Sequence, residues 1–177
     1  MSKNKKVFFT AFILLILDQL VKIVIKTNFT LNTRVTVIPN FFFITYVENE
    51  GAAWSMFEGE TFLLLLISLL FLVFLGSCLK KDKRVNKINI LSYGLIVGGI
   101  LGNMIDRVLY KKVIDFLSIK IFGYYFPIFN IADIAIVVGT ILFIIDVFRE
   151  GREHGKMEEE YQKIREKSYG KVNSRKR

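Results

Sequence analysis

The hydrophobic positions of the chain are concentrated in four blocks. The blocks cover residues 7–25, 61–79, 88–105 and 131–148. A helix rises about 1.5 Å per residue, so each block is long enough to cross the hydrocarbon layer of a bilayer, which is roughly 30 Å thick. The pattern therefore predicts an α-helical integral membrane protein with four transmembrane helices. They form a membrane domain over residues 1–148, which is followed by a charged tail over residues 149–177.

The segment between the first two blocks, at about residues 30–58, has a different pattern. β-Branched and aromatic residues are frequent in residues 34–37 and again in residues 41–47, and Pro39-Asn40 lies between them as a typical turn. This pattern predicts a small β-sheet or hairpin that lies on the membrane surface.

The basic residues favour one orientation in the membrane. Most of the 25 lysines and arginines lie before the first block, between the second and third blocks, or after the fourth. Cytoplasmic segments carry an excess of Lys and Arg, so both termini are predicted to be cytoplasmic and the β-rich segment extracytoplasmic. The net charge of +9 is assigned to attraction to anionic lipid. Nucleic acid is not expected as a partner, because the basic residues flank apolar segments instead of lining an aromatic-studded face.

Ionisable residues inside the spans are costly to bury and are candidates for a functional site. Asp18 and Lys22 lie one helical turn apart in the first block. Two roles remain open for this pair. It is compatible with a structural ion pair that locks helices together, and equally with a supporting role in an active site.

The third block ends in the run GGILGNMIDR, residues 98–107. Its glycines are explained by close helix packing, because small residues four apart let two helix backbones approach. Its polar residues are explained one at a time as a polar helix end that reaches the membrane interface. A polar helix end explains each of these polar residues singly better than it explains the presence of all of them together. The candidate residues in this run are Gly99, Gly102, Asn103, Asp106 and Arg107.

Two further acids follow near the predicted outer face. Asp115 lies in the run VIDF, and Asp133 lies in the run FNIAD that opens the fourth block. Asp115 is compatible with an ordinary loop acid, and Asp133 with a helix cap formed together with Asn130. Two carboxylates in a poorly hydrated site share one proton, so one activates water while the other protonates the scissile amide. The pair therefore indicates an aspartyl protease, although acids in membrane spans also serve proton relays.

Metal and cofactor chemistry is not expected. The single cysteine, Cys78, lies in a hydrophobic block, and the single histidine, His154, lies in the charged tail. The chain therefore has no His/Cys cluster of the kind that binds zinc. The dyad chemistry itself requires neither a metal nor a cofactor.

Five motifs in order along residues 7–148 resemble lipoprotein signal peptidase, also called signal peptidase II or prolipoprotein signal peptidase. They are Asp18…Lys22, Asn49-x-Gly51-Ala-Ala, GGxxGNxxDR, VxDF and FNxAD. The resemblance implies a bacterial aspartyl endopeptidase of the cytoplasmic membrane, with its active site near the extracytoplasmic face. Its implied substrate is a diacylglyceryl-modified prolipoprotein, cut just before the lipidated cysteine, and membrane lipid is the other implied partner.

The resemblance also implies roles for individual residues. Asp115 and Asp133 match the catalytic dyad of the family, and Asp18 with Lys22 matches a supporting pair. The turn around Asn49 matches one that contacts substrate and also meets the antibiotic globomycin, so inhibition by globomycin is expected. The remaining residues of the predicted binding and support set are Gly51, Gly99, Gly102, Asn103, Asp106, Arg107, Asn130 and Ala132.

Two functions of other classes remain as alternatives. A small proton-coupled membrane transporter would relay ions through the intramembrane carboxylates, but it predicts acids at several depths and only Asp18 lies deep in a span. A non-catalytic assembly factor would use the glycines to pack partner helices, but it leaves Asp115 and Asp133 unexplained. The peptidase accounts for more of the polar residues than either alternative.

Overall fold

The structure is a computed structural model that describes residues 2–52, 54, 56–82 and 86–174. The elements in order are α1 Lys3–Asn28, β1 Arg34–Ile38, β2 Phe42–Asn49, α2 Thr61–Lys81, α3 Lys87–Tyr110, β3 Val113–Ile121, β4 Tyr124–Tyr125 and α4 Ile131–Ser174. The described residues include 4 helices that are long and apolar enough to cross a membrane. The predicted class, four spans with a small β-sheet, is confirmed.

Each predicted block lies inside one helix, and the helices extend beyond the blocks into polar residues. The largest extension is in α4, which continues through the charged tail to Ser174 without a break. The division at residue 148 is therefore a change of composition within one helix, and it stays a prediction. The orientation argument also used Lys83 and Arg84 and the basic end of the tail, residues 175–177, which lie outside the described residues.

The central helix α3 packs against both α1 and α4, and its glycines make these contacts close. A Cβ atom on Gly98 would lie 2.7 Å from the backbone oxygen of Ala11 in α1. A Cβ atom on Gly99 would lie 2.5 Å from the backbone oxygen of Ala132 in α4. Both distances are too short for a side chain, so the glycines allow three helix backbones to meet. Helix α2 lies further out and packs on α3.

The sheet is antiparallel, with the strand order β1-β2-β3-β4. Strands β1 and β2 form the hairpin that the β-branched pattern predicts. The segment after α3, which the sequence pattern predicts to be a loop, supplies the other two strands. In β2 and β3, Val47 pairs with Asp115 and Asn49 pairs with Val113. The prediction that the β region spans only about residues 30–58 is therefore incomplete. Strand β3 was missed because its pairing with β2 is a long-range contact that local sequence does not encode.

The turn between α3 and β3 has a local cause. Lys111 caps α3 in a left-handed conformation (φ 61°), and its backbone N–H donates to the carbonyl oxygen of Arg107. Such a cap ends a helix and reverses the chain within a few residues. Because β3 begins at Val113, the strand runs back past the last turns of α3. The sheet consequently sits at the end of the bundle where α1 and α3 finish and α4 begins.

The opposite end of the bundle is held by a second polar cluster. The Lys3 Nζ atom lies 3.4 Å from the Asp82 carboxylate, which joins α1 to the end of α2. The side chains of Asn86 and Asn89 donate to the two oxygens of Asp146 at 2.8 and 3.1 Å, which joins the start of α3 to α4. Sequence analysis did not predict this cluster.

Substitution of Gly99 by alanine is predicted to destabilise the protein. The added methyl group would collide with the backbone of α4, and such overpacking typically costs about 1–3 kcal/mol. Thermal unfolding in detergent measures the effect. Gly76→Ala in α2 is the matched control, because a Cβ there meets nothing within 4 Å. Equal melting temperatures for the two variants would contradict the account of this contact.

Candidate active site

A buried group of three charges lies at the centre of the polar region. The Lys22 Nζ atom lies 2.8 Å from Asp18 Oδ2 and 2.8 Å from Asp106 Oδ2. All three side chains are almost fully buried. The ammonium group has three donors, and the third is directed at Asn103 Oδ1 at 3.1 Å. Lys22 therefore joins α1 to two positions on α3, and its hydrogen-bonding capacity is satisfied.

Each aspartate of this triad also holds a backbone amide. Asp18 Oδ1 accepts from the N–H of Ala132 at 3.0 Å. Asp106 Oδ2 accepts from the N–H of Ile114 at 3.2 Å. These amides belong to the residues directly before Asp133 and Asp115. The triad thus fixes the chain immediately ahead of both candidate catalytic residues.

Gln19 completes the support, and sequence analysis missed it. Its Nε2 atom lies 2.9 Å from Asp106 Oδ1 and 3.2 Å from the carbonyl oxygen of Gly102. Gln19 therefore binds the second oxygen of Asp106, the one that does not contact Lys22. The available signal was a polar side chain beside Asp18 in an apolar span.

Asp115 lies on β3 with its carboxylate enclosed by two amides. The Asn49 Nδ2 atom donates to Asp115 Oδ2 at 2.8 Å, and the Asn130 Nδ2 atom donates to Asp115 Oδ1 at 2.7 Å. Asn49 reaches this position because β2 pairs with β3, and Asn130 because it precedes α4. Only 3% of the Asp115 surface is exposed, so the carboxylate is largely shielded from bulk water.

Asp133 lies in the first turn of α4 and takes part in a reciprocal cap. Its backbone N–H donates to Asn130 Oδ1, and its own Oδ2 accepts from the Asn130 N–H, both at 3.0 Å. This is the capping arrangement that sequence analysis offered as an alternative. It does not exclude a catalytic role, because the cap uses Oδ2 and leaves Oδ1 directed at Asn103 Nδ2 at 2.7 Å.

Two asparagines connect the candidate carboxylates. Asn103 bonds Asp133, and Asn130 bonds Asp115. The two amides are joined to each other, since Asn130 Nδ2 also lies 3.1 Å from Asn103 Oδ1. Asp115 and Asp133 therefore belong to one hydrogen-bonded network whose other end is Lys22.

Burial raises the pKa of Asp115 to about 7, and the nearby charge of Asp133 acts in the same direction. The hydrogen bonds from Asn49 and Asn130 oppose this shift, because they stabilise the carboxylate. The Asp115 carboxyl therefore carries a proton for a large part of the time near neutral pH. A proton held there is available for general acid catalysis.

The loop after β2 is held beside the carboxylates. Asn49 Oδ1 accepts from the N–H of Gly51 at 2.9 Å, and Arg107 donates to the carbonyl oxygen of Gly51 at 2.8 Å. Arg107 comes from the last turns of α3. It therefore ties the helix end to the loop and brings a positive charge to the site.

A cavity of about 580 Å³ contains both carboxylates. Asn49, Asn103 and Arg107 line its polar side. Its other side is apolar and runs along α4, where residues such as Ile134 and Val137 are about half exposed on the surface of the helix. One cavity thus connects the carboxylates with the hydrocarbon-facing surface of the protein.

The predicted site residues fall into two groups. Asn49, Asn103, Arg107, Asp115 and Asp133 line the cavity. The others lie around or behind it, where they pack helices or hold lining residues, and this group contains Asp18, Lys22, Gly51, Gly99, Gly102, Asp106, Asn130 and Ala132. In the described part of the chain, no group of three or more His, Cys, Asp or Glu side chains is placed to bind a metal ion.

Comparison with known proteins gives consistent matches. The profile of the family described as Signal peptidase (SPase) II matches residues 10–149. A solved structure described as a bacterial membrane enzyme, determined by the in meso method at 2.3 Å resolution, is 38% identical and has a TM-score of 0.76, with 82% of this chain and 88% of that chain covered. Another structure with the same description, at 1.9 Å resolution, is 39% identical and has a TM-score of 0.72, with 80% and 91% covered.

The matched region contains α2, α3, the sheet, most of α1, the part of α4 up to residue 149, and every candidate site residue. The predicted function as a lipoprotein signal peptidase is confirmed, and the transporter alternative is not supported. Prolipoproteins are the substrates of this family. The chain is a multi-pass membrane protein that belongs to the signal peptidase II family of aspartic peptidases.

Proposed function

We propose that Asp115 and Asp133 are the catalytic pair, and that they cleave a prolipoprotein just before its diacylglyceryl-modified cysteine. The observation that carries this proposal is the asparagine-linked pair of carboxylates in a cavity that is polar on one side and apolar on the other. A peptidase for lipid-modified membrane substrates needs both properties in one place.

The pair acts with one shared proton. The ionised carboxylate takes a proton from water, and the resulting hydroxide attacks the carbonyl carbon of the scissile peptide. The protonated carboxyl donates to the carbonyl oxygen, and a proton then passes to the nitrogen of the leaving cysteine. Asp115 and Asp133 interact, so the proton belongs to the pair. Asn49 and Asn130 keep the Asp115 carboxyl oriented throughout the reaction.

The apolar wall of the cavity suits the membrane-embedded part of the substrate. A signal-peptide helix and two acyl chains reach the carboxylates laterally along α4, past Ile134 and Val137. Burial of these apolar groups favours binding. Asn49 and the loop at Gly51 contact the peptide backbone near the cleavage site, and this loop is also the proposed contact for inhibition by globomycin.

The proposed location is the bacterial cytoplasmic membrane. The distribution of lysines and arginines supports cytoplasmic termini. Since the sheet and both carboxylates lie at the end of the bundle away from the start of α1, the active site then lies near the extracytoplasmic face. Membrane lipid surrounds the exposed apolar helix faces.

Asp115→Asn and Asp133→Asn are each expected to reduce cleavage by about a hundredfold or more, because each removes a proton-transfer group. Gel analysis of purified variants with lipidated prolipoprotein measures the loss. Asp146→Asn is the matched control, since Asp146 is also buried and also accepts from two asparagines. Retained cleavage by either folded dyad variant would contradict the assignment.

The pH dependence of cleavage is expected to reflect Asp115. Its pKa is raised to about 7, so the singly protonated pair is lost as pH rises through that value, and the rate should fall with it. Asn49→Ala removes a hydrogen bond that lowers the pKa of Asp115. The alkaline limb of the rate profile should therefore move to higher pH in this variant.

Initial rates measured across the pH range test this shift. Asn86→Ala, which removes an asparagine from the other end of the bundle, should leave the position of the limb unchanged. An alkaline limb that stays in place or moves to lower pH in Asn49→Ala would contradict the role given to this hydrogen bond.

A further inference from the structure

Two cavities meet at Asp115. The first, described above, continues along α4 and holds Asp133. A second cavity, of about 400 Å³, is lined by no residue of α4 and shares six lining residues with the first: Asn49, Ala52, Trp54, Asp115, Pro127 and Ile128. Beyond this shared part, the first cavity continues towards α4, whereas the second continues towards the glutamates at the end of β2 and in the loop that follows it.

The second cavity runs along the sheet. Its walls come from the end of β2, from Asp115 of β3, from the two tyrosines of β4, from Pro127 and Ile128, and from the loop between β2 and α2. A volume of about 400 Å³ lies in the usual range for ligand pockets. Its lining is mixed, with aromatic rings beside carboxylates, whereas the first cavity is mainly apolar.

Three glutamates give this cavity a negative lining: Glu48, Glu50 and Glu58. Lys112 offsets part of this charge, because its Nζ atom lies 3.3 Å from Glu48 and 3.2 Å from Glu50. The Tyr46 hydroxyl also donates to Glu48 at 2.9 Å and lowers the pKa of that carboxyl, which keeps it ionised. Among the described residues, no ion pair involves Glu58, so the lining of the second cavity keeps a net negative charge.

The substrate that is cleaved beside Asp115 has two chemically different parts, one on each side of the cleaved bond. The half before the cleaved bond is the membrane-embedded signal peptide, and it matches the apolar cavity along α4. The half after it begins with the lipidated cysteine, whose acyl chains stay in the membrane, and continues as the mature polypeptide outside the hydrocarbon layer. With the signal peptide and the acyl chains assigned to the first cavity, the second cavity is the remaining space at the same carboxylate, and it is open to the polypeptide that follows the cysteine.

We infer that the second cavity binds the mature-chain residues that follow the lipidated cysteine, and that Glu58 together with Glu50 makes it favour basic over acidic side chains there. This inference rests on the proposed function. At a partly exposed site, attraction between opposite charges and repulsion between like charges are weak. They therefore influence which ligand is preferred more than they influence the total affinity.

Binding of the cleaved product tests the inference without relying on catalysis. The probes are fluorescent peptides that begin with S-diacylglyceryl-cysteine and continue with Ser-Lys-Lys, Ser-Gln-Gln or Ser-Glu-Glu. Their affinities for the full-length protein in nonionic detergent should decrease in that order, with steps of about two- to fivefold. Added salt should reduce the differences, because exposed charges are screened.

Glu58→Gln is the test variant, and Glu60→Gln is its matched control. Glu60 lies in the same loop and is also exposed, but it does not line the cavity. The preference for the lysine peptide should shrink about two- to fivefold in Glu58→Gln and persist in Glu60→Gln. Unchanged binding of the glutamine peptide shows that each variant is folded.

Equal affinities of the three peptides for the unmodified protein would overturn the inference. An equal change in the preference for the lysine peptide in Glu58→Gln and Glu60→Gln would also overturn it. Cleavage of a neutral prolipoprotein is measured in parallel. If the protein discriminates by charge but does not cleave, the charge-selective cavity stands and the proposed function fails. If it cleaves but does not discriminate, the proposed function stands and this inference fails.

Discussion

The position of the Lys22 ammonium group between Asp18 and Asp106 is the constraint on which the site depends. Two carboxylates buried together repel each other and lose hydration, and a cation in direct contact with both offsets these costs. Each carboxylate also accepts a hydrogen bond from the backbone amide directly before one of the proposed catalytic aspartates. A single charge therefore links β3 and α4 to α1 and α3.

The rest of the site follows from that placement. With β3 and α4 fixed, Asn103 and Asn130 link Asp115 to Asp133 in one network, and pairing of β2 with β3 brings in Asn49. The glycines of α3 are part of the same arrangement. A side chain on Gly102 would lie 2.6 Å from Asp18 Oδ2, inside the triad. A glycine at this position is therefore needed both for close helix packing and for the placement of the charged groups.

The sequence was sufficient for the four spans, because hydropathy reports burial in lipid directly. It also made Asp115 and Asp133 the catalytic candidates, because acids flanked by apolar residues are unusual, and the structure places both in one cavity. It was not sufficient for β3, whose partner strand lies more than sixty residues earlier in the chain. Gln19 was missed for a related reason, since its role depends on a contact with Asp106 on another helix. The second cavity likewise exists only once β2, β4 and the loop between β2 and α2 are assembled.

The most direct test of this account compares Lys22→Met with Lys26→Met. Lys26 lies one turn further along α1, is exposed and contacts the ring of Tyr110. The account predicts that Lys22→Met leaves two buried carboxylates without their cation. It should then lose about 3–5 kcal/mol of stability, and its cleavage rate per folded molecule should fall about tenfold or more, because the catalytic pair is misplaced. Lys26→Met should resemble the unmodified protein. A Lys22→Met variant as active per folded molecule as Lys26→Met would contradict the claim that this ion triad positions the catalytic pair.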